Sequence, residues 1–269
     1  MPPKTVNSLA RGLMILESFS HGSLRMSLAE ISRVTHTPKA SAYRLLKTLT
    51  ELNYLKYDER HKEYYLGPKV LSLGFSVVQS LEIQEIIRPY LQSLSRACAK
   101  TVNFAVLDDT EMVYIERIRA PDAREFTISI GSRIPLYSTA VGRIVMAHME
   151  AGKLKDILGR LDSGPDSAPF IADRPALFRT LESIRLRGYA RADEEYLQGA
   201  GAVAAPVFDS EGIIGGINLV VARPMVTMDE LDKEYAPKLV RAAREISHAL
   251  GYPSGNRVTS QLRVAPERR

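Results

Sequence analysis

The sequence predicts an α+β protein of two domains: a small helical domain that ends in a β-hairpin, and a larger domain in which strands alternate with helices. Two short amphipathic helices are predicted within residues 27–49, and strand patterns begin near residue 102. With 269 residues and 45% hydrophobic content, the chain is long enough to bury two cores. Its overall composition is that of an ordinary globular protein.

The first short helix begins at a capping box, because Ser27 is followed three residues later by Glu30. The helical pattern then breaks, and Thr37 is placed to cap a second helix whose first position is Pro38. The second helix carries an apolar stripe with the spacing of one helix face: Ala42, Leu45, Leu46 and Leu49.

The opposite face of the second helix is polar and basic. It carries Ala40, Arg44 and Lys47, with Ser41 and Tyr43 at its borders. A helix–turn–helix places such a face in the major groove of DNA. Two amphipathic helices with surface cations also occur in proteins that never bind nucleic acid, so this pattern alone leaves both interpretations open.

A predicted β-hairpin follows the two helices. Residues 54–57 and 64–66 are aromatic, strand-like runs on either side of the charged segment 58–62. Upstream, Leu9, Leu13 and Leu16 predict a further helix that completes a small core. Three helices plus a hairpin are the parts of a winged helix–turn–helix, with the hairpin as its wing.

The distribution of charge supports a polyanionic partner for this first domain. Residues 1–69 hold eleven Lys and Arg against six Asp and Glu, whereas the rest of the chain holds 25 of each sign. The whole net charge of +5 therefore lies in the segment with the helix–turn–helix pattern. A solvated basic surface, or a winged helix that binds another protein, are the alternatives.

Four regions are expected along the chain. Residues 1–67 form the DNA-binding domain, 68–82 a connecting helix, 83–252 the second domain and 253–269 a flexible tail. The second domain is predicted to contain strands over 102–107, 112–118, 126–130, 203–208 and 213–221, and helices over 83–94, 138–146, 173–184 and 228–250. This interleaving, with a hairpin near residue 210, predicts a sheet with helices packed on it.

The sequence offers no motif for an enzyme, and we expect no cofactor and no metal. His148 and His248 lie outside any metal or nucleophile motif, and the Gly199-Ala200-Gly201 segment lacks the third glycine of a dinucleotide fingerprint. The single cysteine, Cys98, excludes an internal disulfide. No apolar run is long enough to cross a bilayer and the N-terminus has no signal core, so a cytoplasmic protein is expected.

The chain resembles bacterial transcriptional regulators of the IclR family over nearly all of residues 8–250. The segments that carry the resemblance are ARGLMILESF, the helix–turn–helix and wing, IGSRIPLYSTAVGRIVMA and GYARADEEYLQGAGAVAAPVFDSEGIIGGINLVV. The resemblance implies a winged helix–turn–helix, a connecting helix and a GAF-like C-terminal domain. It also implies dimers, commonly paired into tetramers, whose affinity for an operator is altered by a small molecule. Regulators of aromatic-acid catabolism look like the nearest branch.

The same resemblance implies an effector pocket, whose anion site is a helix N-terminus. The residues that match the pocket of the family are Ser138, Thr139, Ala140, Val141 and Gly142 at the helix start, Ala200 and Ala202 on one strand, and Asn218 and Val220 on the facing strand. Ala192, Ala202 and Val220 are apolar where relatives carry polar groups. They favour an aromatic carboxylate over a tiny polar effector such as glyoxylate.

A buried carboxylate needs a cationic partner. Arg133, just before the pocket segment, is the first candidate, and Arg191 is the second. The alternative is that both are surface arginines that pair with neighbours such as Glu194.

On DNA, we expect Arg44 to read a guanine edge and Ala40 or Tyr43 to touch a thymine methyl. The remaining expected contacts are to the DNA backbone. Phosphates are expected to be bound by Lys39, Ser41 and Lys47 on the helix, and by Arg60, His61 and Lys62 at the wing tip. A two-fold dimer predicts a palindromic double-stranded operator. The sequence leaves open whether effector binding releases DNA or recruits RNA polymerase.

Overall fold

A computed structural model of the protein describes residues 6–19, 23–73, 83–120, 128–161, 173–223 and 225–253. The chain divides into two compact units, Met1–Leu81 and Glu82–Arg269. In the part of the chain described, no helix combines the length and the apolar character that a membrane span needs.

The first unit contains three helices and a small antiparallel sheet. Its elements are α1 (Asn7–Ser18), β1 (Met26–Ser27), α2 (Leu28–Val34), α3 (Lys39–Glu51), β2 (Leu55–Asp58) and β3 (Glu63–Leu66). The strand order is β1-β3-β2, and β2 and β3 form the wing hairpin. The predicted winged helix–turn–helix is therefore confirmed.

Local sequence signals explain α2 and the buried side of α3. Ser27 and Glu30 form the predicted capping box at the start of α2. On α3, Ala42 and Leu46 are fully buried and Leu45 and Leu49 pack against the same core. The apolar stripe of α3 thus faces inward, and the opposite face is left in solvent.

Two predictions for the first unit are wrong. Of the three leucines predicted to complete the core, Leu16 packs against it, but Leu9 and Leu13 are 63% and 50% exposed. The residues that α1 contributes to the core are Ile15 and, just after the helix, Phe19. Both sets of residues have helical spacing, so the pattern along α1 does not decide which face turns inward. Thr37 does not cap α3, because its hydroxyl donates to the carbonyl of Thr35 and the helix begins directly after Pro38.

The second unit is a six-stranded antiparallel sheet with helices on both faces. It comprises α4 (Ile83–Cys98), β4 (Val102–Asp108), β5 (Glu111–Ile118), β6 (Arg133–Pro135), α5 (Ala140–His148), α6 (Ala151–Leu161), α7 (Arg174–Arg187), β7 (Ala190–Asp193), β8 (Ala200–Phe208), β9 (Ile213–Ala222), α8 (Met228–Glu230), a π-helical turn (Leu231–Tyr235) and α9 (Ala236–Ala249). The strand order is β6-β5-β4-β9-β8-β7. This confirms the predicted α+β class.

The helices divide between the two faces of this sheet. Helices α5, α6 and α7 share one core with the sheet residues Ala105, Tyr114 and Ala204. Helices α4 and α9 pack against each other and against the sheet. Phe104 and Glu116 alternate with the residues of the first core, so they belong to the α4 face, where Arg88 of α4 pairs with Glu116.

Several boundaries differ from the prediction. The cap of α5 is Thr139 rather than Ser138, since the Thr139 hydroxyl accepts from the Gly142 N–H at 3.2 Å. The predicted strand over 126–130 lies partly outside the described residues, and 128–130 are not a strand. Of the predicted connecting helix, 69–73 are helical and 74–82 lie outside the described residues, as does the tail from 254.

Candidate functional site

The exposed face of α3 is the first candidate site. Lys39, Ala40, Tyr43, Arg44 and Lys47 are exposed and Ser41 is half-buried, on the side opposite the buried apolar stripe. The structure therefore brings all six predicted α3 contact residues onto one solvent-facing surface, which we call the α3 face.

The cations of the α3 face are largely uncompensated. Lys47 Nζ lies 3.9 Å from Glu51 Oε1, a loose pair in which both side chains are 65% exposed. Within the described ranges, Lys39 and Arg44 have no ion-pair partner. An exposed helix face with unneutralised cations is the electrostatic arrangement that attracts phosphates.

Asp58 organises the wing. It accepts hydrogen bonds from the backbone N–H of Arg60 at 3.0 Å and from the guanidinium of Arg25 at 2.9 Å, and it pairs with His61 Nδ1 at 3.0 Å. The hydrogen bond from His61 is the main cause that lowers the pKa of Asp58 to about 2. Asp58 thus stays ionised at neutral pH and holds the turn that presents Arg60 and Lys62 to solvent.

The second candidate site is the N-terminal end of α5. A Cβ at Gly142 would lie 1.9 Å from the carbonyl oxygen of Leu136, so only glycine permits the first turn of α5 to approach the preceding segment this closely. The Thr139 hydroxyl also donates to the carbonyl of Pro135 at 2.8 Å. The predicted residues Ala140, Val141 and Gly142 are all buried at this junction.

The sheet beneath α5 has a floor of small residues. Ala202 pairs in register with Ala192 on one side and with Val220 on the other, and Ala204 pairs with Asn218. Since opposite residues of antiparallel strands share a face, these five lie on the same side of the sheet. We call this surface the alanine floor.

The alanine floor faces α5. Gly216, two residues before Asn218 on β9, lies directly beneath α5, because a Cβ there would meet Val141 and Ile144 at 3.0 and 3.1 Å. Ala202 and Val220 are half-buried, although their strand neighbours Val203 and Leu219 are fully buried. The floor is therefore open to solvent beside the helix, as a ligand pocket requires. Ala200 lies two residues before Ala202 on the same side of β8.

The two arginines proposed as carboxylate partners are already engaged. Arg133 donates from Nε to Glu111 Oε2 and from Nη1 to Asp108 Oδ2, both at 2.7 Å. Arg191 pairs with Asp232 and lies on the side of β7 opposite Ala192. The geometry supports the alternative that both are surface arginines, with partners other than Glu194.

Replacement of Arg133 tests this alternative. We expect Arg133→Ala to leave the affinity for an acidic effector unchanged, and to lower the free energy of unfolding by at most about 1 kcal/mol, as for an exposed ion pair. Isothermal titration with the effector and urea unfolding measure the two quantities. A loss of affinity of about tenfold or more would restore Arg133 as an effector ligand.

The segment 194–199 closes one end of the alanine floor. Glu194 accepts a hydrogen bond from the backbone N–H of Gly199 at 2.8 Å, and Glu195 holds the guanidinium of Arg143 in a two-pronged pair. Arg143 is only 8% exposed and also donates to the carbonyl of Tyr137. The two adjacent carboxylates are therefore structural, and Arg143 is held in place beside the alanine floor.

Three residues on the floor were missed by the sequence reasoning: Asn103, Tyr114 and Arg117. Asn103 pairs in register with Asn218 on one side and Arg117 on the other, and Tyr114 reaches Asn218 with its hydroxyl. A sequence signal existed for Asn103, since an amide in the apolar run VNFAVL is unusual in a buried strand.

A surface cavity of about 660 Å³ lies between α7 and β7. Among its lining residues are Arg143, Arg179, Arg187 and Arg191. Arg143 is neutralised by Glu195 and Arg191 by Asp232, so this cavity is a solvated polar groove. Nor do the described residues bring three His, Cys, Asp or Glu side chains together in a way that would hold a metal ion.

A winged helix–turn–helix with a free basic face, followed by a separate sheet domain for an effector, defines a DNA-binding transcriptional regulator. Comparison with known protein families supports this class. The family described as bacterial transcriptional regulator IclR C-terminal matches residues 75–248, and the IclR helix-turn-helix domain matches residues 8–59. The chain belongs to the IclR family, and like the members it matches it is a transcriptional regulator and not an enzyme.

Individual relatives extend over nearly the whole chain. The Pca regulon regulatory protein of Pseudomonas putida is 32% identical over 250 residues, which cover 92% of this chain and 85% of that protein. An IclR family regulator from Brucella abortus is similar in structure with a TM-score of 0.78 at 28% identity, covering 92% of this chain and 94% of the other. An IclR homologue from Microbacterium hydrocarbonoxydans complexed with 4-hydroxybenzoate shares the fold, with a TM-score of 0.73, 21% identity and coverage of 90% and 98%.

Proposed function

We propose that this regulator binds a palindromic operator in the cytoplasm through the α3 face and the wing tip, as a dimer or a pair of dimers, and controls a catabolic operon. A small aromatic carboxylate, bound between the N-terminus of α5 and the alanine floor, modulates operator binding or activation. The observation that carries the first part is the free cationic side of α3, at Lys39 and Arg44.

The role of each DNA contact follows from its position. Arg44, near the middle of the α3 face, is assigned to a guanine edge, where a bidentate contact discriminates by about 1–3 kcal/mol. Lys39, Ser41 and Lys47 hold phosphates, and Ala40 or Tyr43 touches a thymine methyl. The wing extends the contact along the DNA backbone through Arg60, His61 and Lys62.

Three features support an aromatic carboxylate. The N-terminus of α5 attracts an anion, because its first backbone N–H groups have no partner within the helix. The alanine floor offers an apolar surface for a ring. Among relatives, one is named for the Pca regulon and one is complexed with 4-hydroxybenzoate.

Effector binding acts on DNA binding only if the effector prefers one arrangement of the dimer, with a coupling of about 1–3 kcal/mol. The connector over 68–82 is the covalent link between the two units and is therefore proposed to transmit the change. In this scheme RNA polymerase is a partner only if the bound effector activates transcription rather than releasing the regulator from DNA.

DNA binding is tested by fluorescence anisotropy with duplexes from the region upstream of the regulator's own gene. We expect a specific duplex to bind more tightly than a scrambled one, and both affinities to fall steeply with salt because phosphate contacts release counterions. Equal and salt-insensitive binding of both duplexes would indicate that the winged domain binds a protein instead.

The effector class is tested by thermal shift and anisotropy with benzoate, 4-hydroxybenzoate and glyoxylate. An aromatic acid is expected to raise the melting temperature and to change the operator affinity, whereas glyoxylate is expected to do neither. A response to glyoxylate alone would contradict the aromatic assignment.

A further inference from the structure

A chain of buried hydrogen bonds crosses the alanine floor. Asn103 Nδ2 donates to Asn218 Oδ1 at 3.1 Å, and Asn218 Nδ2 donates to the Tyr114 hydroxyl at 3.0 Å. Asn103, Asn218 and Tyr114 are 1%, 3% and 2% exposed. We call these three residues the amide chain.

The amide chain has an open end. In the part of the chain that the structure describes, the side-chain oxygen of Asn103 is buried and has no hydrogen-bond partner. A buried amide oxygen without a partner is destabilising, because it loses its hydrogen bonds to water and gains none in return. Proteins keep such a group where something else satisfies it, and Asn103 lies on the side of the sheet that faces α5.

The open end lies towards the N-terminal end of α5. His148, at the C-terminal end of α5, packs against Phe208 at the β8–β9 hairpin, with their ring centroids 5.4 Å apart. Val141, near the N-terminal end, lies over Gly216. Asn218 is two residues further along β9 from that hairpin, so the amide chain lies at the end of α5 where the effector is proposed to bind.

We propose that Asn103 is a specificity residue of the effector site and that it recognises a hydroxyl group on the ring of an aromatic carboxylate. This inference rests on the proposed function, because it names which aromatic acid the pocket prefers. The carboxylate is held at the N-terminus of α5, and the ring hydroxyl completes the amide chain.

A hydroxyl fits the open end in either orientation of the amides. As described, Asn103 offers an oxygen and needs a donor. If both amides rotate by half a turn, the Tyr114 hydroxyl donates to Asn218, Asn218 donates to Asn103, and Asn103 then offers an N–H that needs an acceptor. A hydroxyl is both donor and acceptor, whereas a carboxylate satisfies only the second arrangement.

The Tyr114 end of the amide chain remains polar and uncharged. Burial raises the pKa of Tyr114 to about 12, so its hydroxyl keeps its proton at every physiological pH. The amide chain therefore stays uncharged at physiological pH.

The test is isothermal titration of the full-length protein with benzoate, 3-hydroxybenzoate and 4-hydroxybenzoate. At least one hydroxybenzoate is expected to bind about tenfold or more tightly than benzoate, because a site with buried polar groups rejects an analogue that leaves them unpaired. In Asn103→Leu, which matches the size of asparagine without its polar atoms, this preference is expected to disappear while benzoate still binds.

Two further variants keep the test decisive. Ser95→Ala removes a buried hydroxyl on α4 that donates to the Lys100 carbonyl, and it is expected to leave the preference unchanged. If Asn103→Leu fails to fold, Tyr114→Phe removes the anchor of the amide chain with almost no change of shape, and it is expected to reduce the preference by severalfold.

The possible outcomes distinguish the role of Asn103 from the choice of an aromatic acid as the effector. Equal affinity of the wild type for all three acids, or a preference that persists in Asn103→Leu, overturns the role of Asn103 and leaves the aromatic effector standing. Binding of none of the three acids by the wild type overturns the aromatic effector, and the role of Asn103 with it.

Discussion

Arg44→Ala is expected to reduce the discrimination between the operator and unrelated DNA. A bidentate arginine contact to guanine is worth about 1–3 kcal/mol, so specific affinity falls by roughly 5- to 150-fold while weak salt-dependent binding persists. Arg44 is exposed and has no ion-pair partner among the described residues, so its loss leaves no buried group unsatisfied. Anisotropy with specific and scrambled duplexes measures the effect.

Two matched variants distinguish base reading from general charge. Arg241→Ala removes an exposed arginine on α9, which pairs only with Glu245 four residues on, and is expected to leave operator binding unchanged. Lys47→Ala is expected to weaken binding to both duplexes alike and to reduce the salt slope by about one per subunit. If Arg44→Ala retained the ratio of specific to scrambled affinity, another residue would read the operator.

Gly142→Ala is expected to be the most damaging single substitution in the second unit. The added Cβ would lie 1.9 Å from the carbonyl oxygen of Leu136 and 2.5 Å from its carbonyl carbon. Both are backbone atoms, so the start of α5 or the preceding segment must shift. We expect a loss of about 3 kcal/mol in the free energy of unfolding, at the upper end of the cost of overpacking.

Gly159→Ala is the matched control, because Gly159 lies within α6 and nothing lies within 4 Å of an added Cβ. There alanine is expected to stabilise slightly, by up to about 1 kcal/mol, since glycine is a poor helix former. The chain has no tryptophan, so urea unfolding is best followed by far-UV circular dichroism. Equal urea midpoints for the two variants would mean that the first turn of α5 can shift to accommodate the added Cβ with little loss of stability.

Local signals in the sequence predicted those features that depend on neighbours along the chain. The capping box at Ser27 and the buried stripe on α3 each follow from residues within a few positions. The inward face of α1 was not predictable in this way, because Leu9 and Leu13 have the same spacing as the residues that are buried. Which face turns inward is decided by packing against the rest of the domain.

The proposed effector pocket shows the same division more sharply. Its helix start and strand residues were identified from the resemblance to a family, which is carried by continuous segments. The amide chain joins Asn103 to Asn218 and Asn218 to Tyr114, residues 115 and 104 positions apart. Only the strand order, with β4 between β5 and β9, brings them together. Likewise, Arg133 was judged by its place in the sequence. Its acidic partners Glu111 and Asp108 lie at the turn between β4 and β5, 22 and 25 positions earlier in the chain.

The tight junction between Gly142 and Leu136 makes one side of the proposed pocket stiff. The segment 194–199 borders the same helix start, because its Glu195 holds Arg143 of the first turn of α5, while Glu194 accepts a hydrogen bond from Gly199. A guest molecule that displaces this segment must also break the pair between Glu195 and the buried Arg143. Size selection by this regulator is therefore expected to vary with the length and composition of that short segment, and relatives that differ there should accept bulkier or slimmer acids.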